Sequence, residues 1–374
     1  MKVLMTGGGT GGHVNPAIAI ADKIMEKEPG SNIAFVGTPR GIENKLVPAA
    51  GYKLYHIDIR GLRRSLSVSN FRTVYLMAVS QIKARRLIRD FNPDIVVGTG
   101  GYVCWPLVNA ASKMNIPTVL HESNAVPGVA VKLLQNKVDR IYVNFEATLS
   151  KLSHPERAKR VGNPLRGHFG ELTREQAREK LGYNNKYRYV ILSCGGSMGA
   201  ERVNEEVLKL MRDYTSKDAA VKHIHATGSI EYEASKAVFQ KYGLDKCPNL
   251  ELCEYIYDMP LKMTAADLVI SRAGAITLSE LAVQRKPCIL IPSPNVTDNH
   301  QYKNAKVLGD AGASLVFEES ELGDGILTDA VKQLLPDRKR LHEMSDSISS
   351  FAVRDCADLL YSELRGLIDQ KNSL

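Results

Sequence analysis

The chain has no run approaching the roughly 18 apolar residues that a helical bilayer span needs. Its first residues do not read as a secretory signal: Met1-Lys2 passes straight into the strand-like run Val3-Leu4-Met5 and then into glycines. Its six cysteines form no CxxC pair and no metal-ligand spacing, so they read as free thiols of a reducing compartment. No Asp-x-Asp pair accompanies the glycine-rich loops, and no essential divalent metal is expected. No Lys-Ser/Thr closes the first of those loops, which excludes a Walker A motif. No acidic residue stands at the distance a dinucleotide fingerprint requires. Zinc-finger spacing, a repeated aromatic platform and a basic recognition helix are all missing, which argues against nucleic acid.

What is present is a chain of 374 residues, beyond the size at which one hydrophobic core usually keeps growing, so two domains are expected. The apolar share of 44% and charged share of 24% are those of an ordinary globular protein. A formal net charge of +8 favours an anionic partner such as a phosphorylated substrate or an anionic membrane surface.

The chain is organised around Gly7-Gly8-Gly9-Thr10-Gly11-Gly12-His13-Val14-Asn15-Pro16. An apolar run leads into it and a small-residue helical pattern leads out. That is strand, glycine turn, helix, with free N–H groups at the helix start suited to an oxyanion. His13 stands where an imidazole can take a proton from an incoming hydroxyl. The plainer reading is a tight connection carrying a structural histidine. Strand and helix patterns then alternate: Ile33–Gly37, Leu54–Ile57, Ile95–Gly98, Pro117–Leu120 and Ile141–Val143 read as strands. Thr99-Gly100-Gly101-Tyr102 and His121-Glu122-Ser123-Asn124 follow two of them. Such alternation implies a parallel doubly wound sheet, which binds ligands beyond its strand carboxyl ends.

Composition shifts around Val161-Gly162-Asn163-Pro164-Leu165-Arg166, which divides the chain into residues 1–163 and 164–374. A second alternating pattern follows. Gly195-Gly196-Ser197-Met198-Gly199-Ala200 and Arg272-Ala273-Gly274-Ala275-Ile276-Thr277 each follow a strand and open a helix. Both can present backbone N–H groups and a positive helix end to a diphosphate. Glu280 lies about two turns on, where a carboxylate can accept ribose hydroxyls or simply face solvent. His300, Gln301 and Asn304 sit near one another on a helix start, where amides read sugar hydroxyls. The helical tail after about residue 335 is long enough to return to the first domain. A basic segment from Arg60 to Arg64, continued by Arg72, Lys83, Arg85 and Arg86, alternates with Leu62, Leu66, Phe71, Leu76, Met77 and Val79. It can rest on an anionic leaflet, or it is a solvated face above a core stripe.

Taken in this order, these segments resemble the MurG family, the bacterial N-acetylglucosaminyltransferases that convert lipid I to lipid II in peptidoglycan synthesis. The likeness covers nearly the whole chain. It implies an α/β GT-B fold, two Rossmann-like doubly wound parallel-sheet domains facing a cleft. It implies UDP-N-acetylglucosamine as a substrate rather than a cofactor, with no cofactor and no metal. It places the donor with Thr10, Gly11, Gly12, Asn124, Arg166, Ser197, Ile256, Arg272, Ala275, Ile276, Thr277, Glu280, His300, Gln301 and Asn304, and the acceptor with Thr10, His13, Tyr102 and Glu122. The implied partners are lipid I, an anionic inner-leaflet surface and other cell-wall synthesis proteins, with no nucleic acid. The implied location is peripheral, on the cytoplasmic face of the membrane. The implied chemistry is inverting transfer to the 4-hydroxyl of an N-acetylmuramoyl unit, giving a β-1,4 linkage. Either His13 or Glu122 is the base. An imidazole suits neutral pH, whereas a carboxylate needs burial to raise its pKa. The family pattern has glutamine where this chain has His300, and small residues where it has Cys104-Trp105. The competing readings are another two-domain UDP-sugar transferase on a lipid or small molecule, a UDP-N-acetylglucosamine epimerase, and a non-enzymatic membrane adaptor on a nucleotide fold.

Overall fold

A computed structural model describes residues 1–59, 69–167, 169–183 and 186–373, with the side chains of residues 69–77 left aside. It divides into two compact units, residues 1–166 with 355–374, and residues 167–354.

The first unit holds strands β1 (Lys2–Thr6), β2 (Asn32–Gly37), β3 (Lys53–His56), β4 (Ile95–Gly98), β5 (Thr118–Glu122), β6 (Arg140–Val143) and β7 (Ala158–Arg160). They form one sheet in the order β3-β2-β1-β4-β5-β6-β7, and every pairing is parallel. Val3, Leu4, Met5, Ile95 and Val96 are fully buried, because helices cover both faces of such a sheet. The second unit holds β8 (Tyr189–Cys194), β9 (Val221–Ala226), β10 (Leu250–Cys253), β11 (Leu268–Ser271), β12 (Cys288–Leu290) and β13 (Ser314–Val316). Their order is β10-β9-β8-β11-β12-β13, again all parallel.

In both sheets the chain winds one way from the first strand and then the other. The reversal lies between β1 and β4 in the first unit and between β8 and β11 in the second. Ligands to doubly wound sheets bind at this switch point, outside the strand carboxyl ends. The loops after those four strands are the glycine-rich ones singled out from the sequence.

The composition shift at 163/164 falls three residues before the division between units at 166/167. Arg166 stays with the first unit, its Nε 3.5 Å from an Asp22 carboxylate oxygen. The helix Cys356–Asn372 also belongs to the first unit. It packs along the helix Gly11–Lys27 and is tied there by Lys27–Asp358 at 2.8 Å and by Tyr361 donating to Glu28 at 2.9 Å. Lys159 and Tyr142 both reach Glu363, at 2.7 and 3.1 Å. The expectations on Arg60–Arg64, Leu62 and Leu66 lie outside the described residues. Among the described residues, no helix is long and apolar enough to cross a membrane.

Candidate active site

The two glycine-rich loops of the first unit lock into one another. Gly8 N–H donates to Gly100 O at 3.3 Å. A Cβ on Gly101 would stand 2.4 Å from Gly8 O, and one on Gly7 would stand 2.1 Å from Thr99 Oγ1, so both positions must be bare. Gly100 and Gly101 also take φ of +118° and +81°, backbone that side chains disfavour. Thr99 Oγ1 donates to His13 O at 2.7 Å. The single proton of the Cys104 thiol is shared between the Gly100 and Thr6 carbonyls, 2.9 and 3.1 Å from Sγ, and the sulfur accepts from Gly100 N–H at 3.2 Å. Burial pushes that thiol up to about 12, so it stays protonated as a donor.

His13 lies in the first turn of the helix Gly11–Lys27, half-buried, while Thr10 and Gly12 are exposed and Gly11 is half-buried. The imidazole Nδ1 is 3.0 Å from Gly8 O. A carbonyl can only accept, so Nδ1 carries a proton, which it shares with the Thr10 hydroxyl oxygen at 3.3 Å; in the neutral ring Nε2 is then the nitrogen with the lone pair. The ring rests against Gly100, where an added Cβ would meet His13 Cδ2 at 2.5 Å. Tyr102, 49% exposed, follows in the same loop.

Glu122 ends β5 and is buried. Its Oε1 accepts from Asn124 N and Nδ2 at 2.9 and 3.1 Å, and its Oε2 from Gly128 N at 2.7 Å. The preceding His121 is buried and donates from Nε2 to Gly162 O at 2.8 Å. Burial lowers that imidazole to about 4 and keeps it neutral.

Glu43 was not among the residues singled out from the sequence. Its fully buried carboxylate accepts from Thr38 N, Thr38 Oγ1 and Gly9 N at 2.8, 2.7 and 3.1 Å. Burial alone would raise its pKa, but these donors outweigh burial and hold it below the ordinary carboxylate value. The available signal was an acidic residue in the first turn of the helix Glu43–Ala49, just after the turn that ends β2.

The second unit also presses two glycine loops together, here those after the adjacent strands β8 and β9. Gly199 and Gly228 sit back to back: a Cβ on Gly228 would stand 2.0 Å from Gly199 N, and one on Gly199 2.4 Å from Thr227 O. Ser197 is exposed at the tip of its loop, and its carbonyl accepts from Ser229 N at 3.1 Å. Beyond β11, Gly274 caps the helix Ala275–Val283 with no side-chain acceptor. Ala275 is buried, while Ile276 and Thr277 are half-buried in the first turn.

Glu280 stands on that helix half-buried. No hydrogen bond or ion pair engages its carboxyl among the described residues, and burial raises it to about 8. Arg272 has its charge already matched: Nη1 donates to Ile291 O at 3.1 Å and Nη2 to the Glu319 carboxylate. A cavity of about 390 Å³ lies there, lined by Arg202, Pro292, Pro294, Asn299 and Glu319 among others.

Asp298 and Asn299, both in left-handed backbone, turn the chain into the helix His300–Asp310. His300 Nδ1 donates to Thr297 O at 2.9 Å, which leaves Nε2 as an acceptor. Gln301 Oε1 accepts from Ser293 N at 2.9 Å, which leaves its amide NH2 to donate. Asn304 is fully buried and donates to Ala273 O at 3.3 Å. Its amide therefore braces the loop before the helix Ala275–Val283. Ile256 is 3% exposed just beyond β10, between Tyr255 and Tyr257. No group of three or more His, Cys, Asp or Glu side chains among the described residues could hold a metal ion.

Residues 3–143 match the glycosyltransferase family 28 N-terminal domain, and residues 190–360 match the glycosyltransferase family 28 C-terminal domain. The chain belongs to glycosyltransferase family 28. The interlocked loops 7–10 and 99–101 fall inside the first of these domains, and loops 195–200, 227–228 and 272–277 inside the second. A family relative from Acetivibrio thermocellus is 41% identical over 99% of both chains. It is named a UDP-N-acetylglucosamine–N-acetylmuramyl-(pentapeptide) pyrophosphoryl-undecaprenol N-acetylglucosamine transferase. The crystal structure of Acinetobacter baumannii MurG is similar with a TM-score of 0.78 at 27% identity, covering 98% of this chain and 99% of that one. A UDP-GlcNAc 2-epimerase from Neisseria meningitidis, solved with UDP-GlcNAc, has a TM-score of 0.65 at 14% identity over 98% of this chain and all of its own, and shares the fold alone.

Proposed function

We propose that this family 28 enzyme transfers N-acetylglucosamine from UDP-N-acetylglucosamine to the 4-hydroxyl of the N-acetylmuramoyl unit of lipid I, forming lipid II. Relatives of that name matching along the whole chain support the substrates. The observation that carries the chemistry is the His13 tautomer. With Nδ1–H engaged by Gly8 O, Nε2 is the free base that can take the acceptor proton. Glu122 has both oxygens occupied by three N–H donors, which suits holding residues 122–128 in shape better than exchanging protons. The hydroxyl oxygen attacks the anomeric carbon from the side opposite UDP. The bond from that carbon to the β-phosphate oxygen breaks, its electrons leave with UDP, and the proton passes to His13. The configuration inverts, giving the β-1,4 linkage.

In this reading the second unit grips the donor. The uracil meets the backbone at Ile256. The diphosphate lies against residues 195–200 and the start of the helix Ala275–Val283, whose dipole carries about half a positive charge. An unengaged carboxyl on Glu280 suits ribose hydroxyls, and the Gln301 amide and His300 Nε2 suit sugar hydroxyls. The donor reading extends to Thr10, Asn124 and Arg166 in the first unit. The acceptor reading rests on His13, Tyr102 and the first-unit loops. Its lipid would keep the enzyme peripheral on an anionic inner leaflet. Exposed Lys83, Arg85, Arg86 and Ile82 on the helix Ser69–Phe91 are suited to that surface.

The test is incubation with radiolabelled UDP-N-acetylglucosamine and a lipid I analogue. Label should move to the analogue and continue to do so with a chelator present. Free epimerised sugar without acceptor, or transfer only to a different aglycone, would overturn the proposal.

A further inference from the structure

A line of buried polar groups crosses the second unit beneath its glycine loops. Thr215 Oγ1 lies 3.3 Å from His223 Nδ1, and His223 Nε2 lies 2.9 Å from Ser193 Oγ. Ser193 Oγ is 2.9 Å from His225 Nδ1, and His225 Nε2 is 3.1 Å from Asn204 Oδ1. Asn204 Nδ2 is 3.0 Å from Thr227 O. All five side chains are 0–2% exposed.

Chemistry fixes the direction of every link. Thr227 O can only accept, so the Asn204 NH2 group faces it and Oδ1 faces His225. His225 Nε2 must then carry its proton. Burial lowers this imidazole to about 4 and keeps it neutral, so Nδ1 is a bare acceptor. The Ser193 carbonyl, 3.2 Å from that nitrogen, therefore cannot be its partner, and the Ser193 hydroxyl gives it the proton. Ser193 then accepts from His223 Nε2–H, which leaves His223 Nδ1 to accept from Thr215. The Ser193 hydroxyl also lies 3.3 Å from Ile224 O, but its shorter contact, to His225 Nδ1 at 2.9 Å, serves the acceptor that has no other donor, so along the line all bonds run the same way, from Thr215 to Thr227.

The line ends on the carbonyl against which Gly199 is packed. We infer that Ser193, His223, His225 and Asn204 are positioning residues that hold Thr227, and through it residues 195–200, in the shape that receives a nucleoside diphosphate. The inference rests on the donor reading above. Removing the central hydroxyl would strand one donor and one acceptor in a dry interior, and the loop at the far end would lose its fixed support.

The experiment combines imidazole nitrogen NMR with UDP titration and steady-state kinetics. In the wild type at pH 7 both histidines should be neutral with the proton on Nε2. Ser193→Ala should raise the UDP dissociation constant and the KM for UDP-N-acetylglucosamine by about tenfold, with kcat within about twofold of wild type. Ser193→Thr, which keeps the hydroxyl, should recover most of that affinity. Thr215→Val, nearly isosteric at the opposite end, should shift the His223 tautomer populations and serves if Ser193→Ala does not fold. A proton on Nδ1 of either ring in the wild type, or a folded Ser193→Ala with a lower melting temperature and unchanged UDP affinity, overturns the inference. If the wild type itself does not bind UDP, the donor reading fails instead.

Discussion

At the scale of single residues, the proposed mechanism gives His13 and Glu280 opposite kinds of work. In that mechanism His13→Ala removes the base, so it should lower turnover by about 10²–10⁴-fold while UDP affinity, measured by titration, stays within about twofold. Glu280 has its consequence in pH. Burial raises its carboxyl from 4.5 to about 8. Between those values the folded chain keeps a proton that the unfolded chain releases, so stability falls as pH rises through that window. Glu280→Gln should abolish that slope, melting like wild type near pH 5 and higher than wild type near pH 8.5. The same variant should bind UDP about tenfold or more weakly, since hydrogen bonds to a charged group are worth roughly 1.5–3 kcal/mol. Wild-type UDP affinity should tighten from pH 7 towards 9 and that of the variant should not. His13 stood out in the sequence because an imidazole directly after a five-glycine turn, at a helix start, is placed for proton chemistry. The state of Glu280 was not, because helical spacing gives a face but not the depth of burial. The buried setting of Asn304 was hidden for the same reason.

At the scale of elements, each unit presses two glycine loops together at strand carboxyl ends: those after β1 and β4, where strand order reverses, in the first, and those after the adjacent strands β8 and β9 in the second. In the first unit the contact sets the His13 ring against Gly100. Gly100→Ala would put a methyl 2.5 Å from His13 Cδ2 at a φ of +118°, a strain of about 1–3 kcal/mol. Turnover should fall at least as far as stability, which a thermal melt and the transfer assay read together. Glu43 braces the same loop from below. Its lowered pKa means that its contribution is present above the ordinary carboxylate value and is lost as pH falls through the folded one. Glu43→Gln should therefore destabilise the first unit at pH 7 by about 1–3 kcal/mol and flatten its acid limb below pH ~5.

Long apolar runs such as Val3-Leu4-Met5 and Ile95-Val96-Val97 announced the inner strands. The edge strands β7 and β13 were missed, since Ala158-Lys159-Arg160 and Ser314-Leu315-Val316 are three residues each and not fully buried. Glu43 escaped because what makes it matter is the backbone N–H groups that turn towards it.

At the scale of the whole molecule, the chain forms two units, and its last helix returns to the first of them. Cys356, Leu360, Leu364, Leu367 and Ile368 are buried on that helix. At roughly 1.5–3 kcal/mol per fully buried large apolar side chain, deleting residues 355–374 should markedly lower hydrogen-exchange protection in residues 1–166. Protection of the central strands β8 and β11 should change little. The sequence carried the repetition of architecture, because both halves alternate strand and helix with glycines at strand ends. It carried the exact division less well, because that depends on the Arg166–Asp22 pair and on which surface the tail covers.

The central claim is a division of labour in which the second unit holds the nucleotide and the first holds the attacking alcohol. A crystal structure with UDP bound tests it most directly. The account predicts the diphosphate against residues 195–200 and the start of the helix Ala275–Val283, with the ribose at Glu280. UDP seated among residues 7–16, with Ser197 and Glu280 untouched, would contradict it.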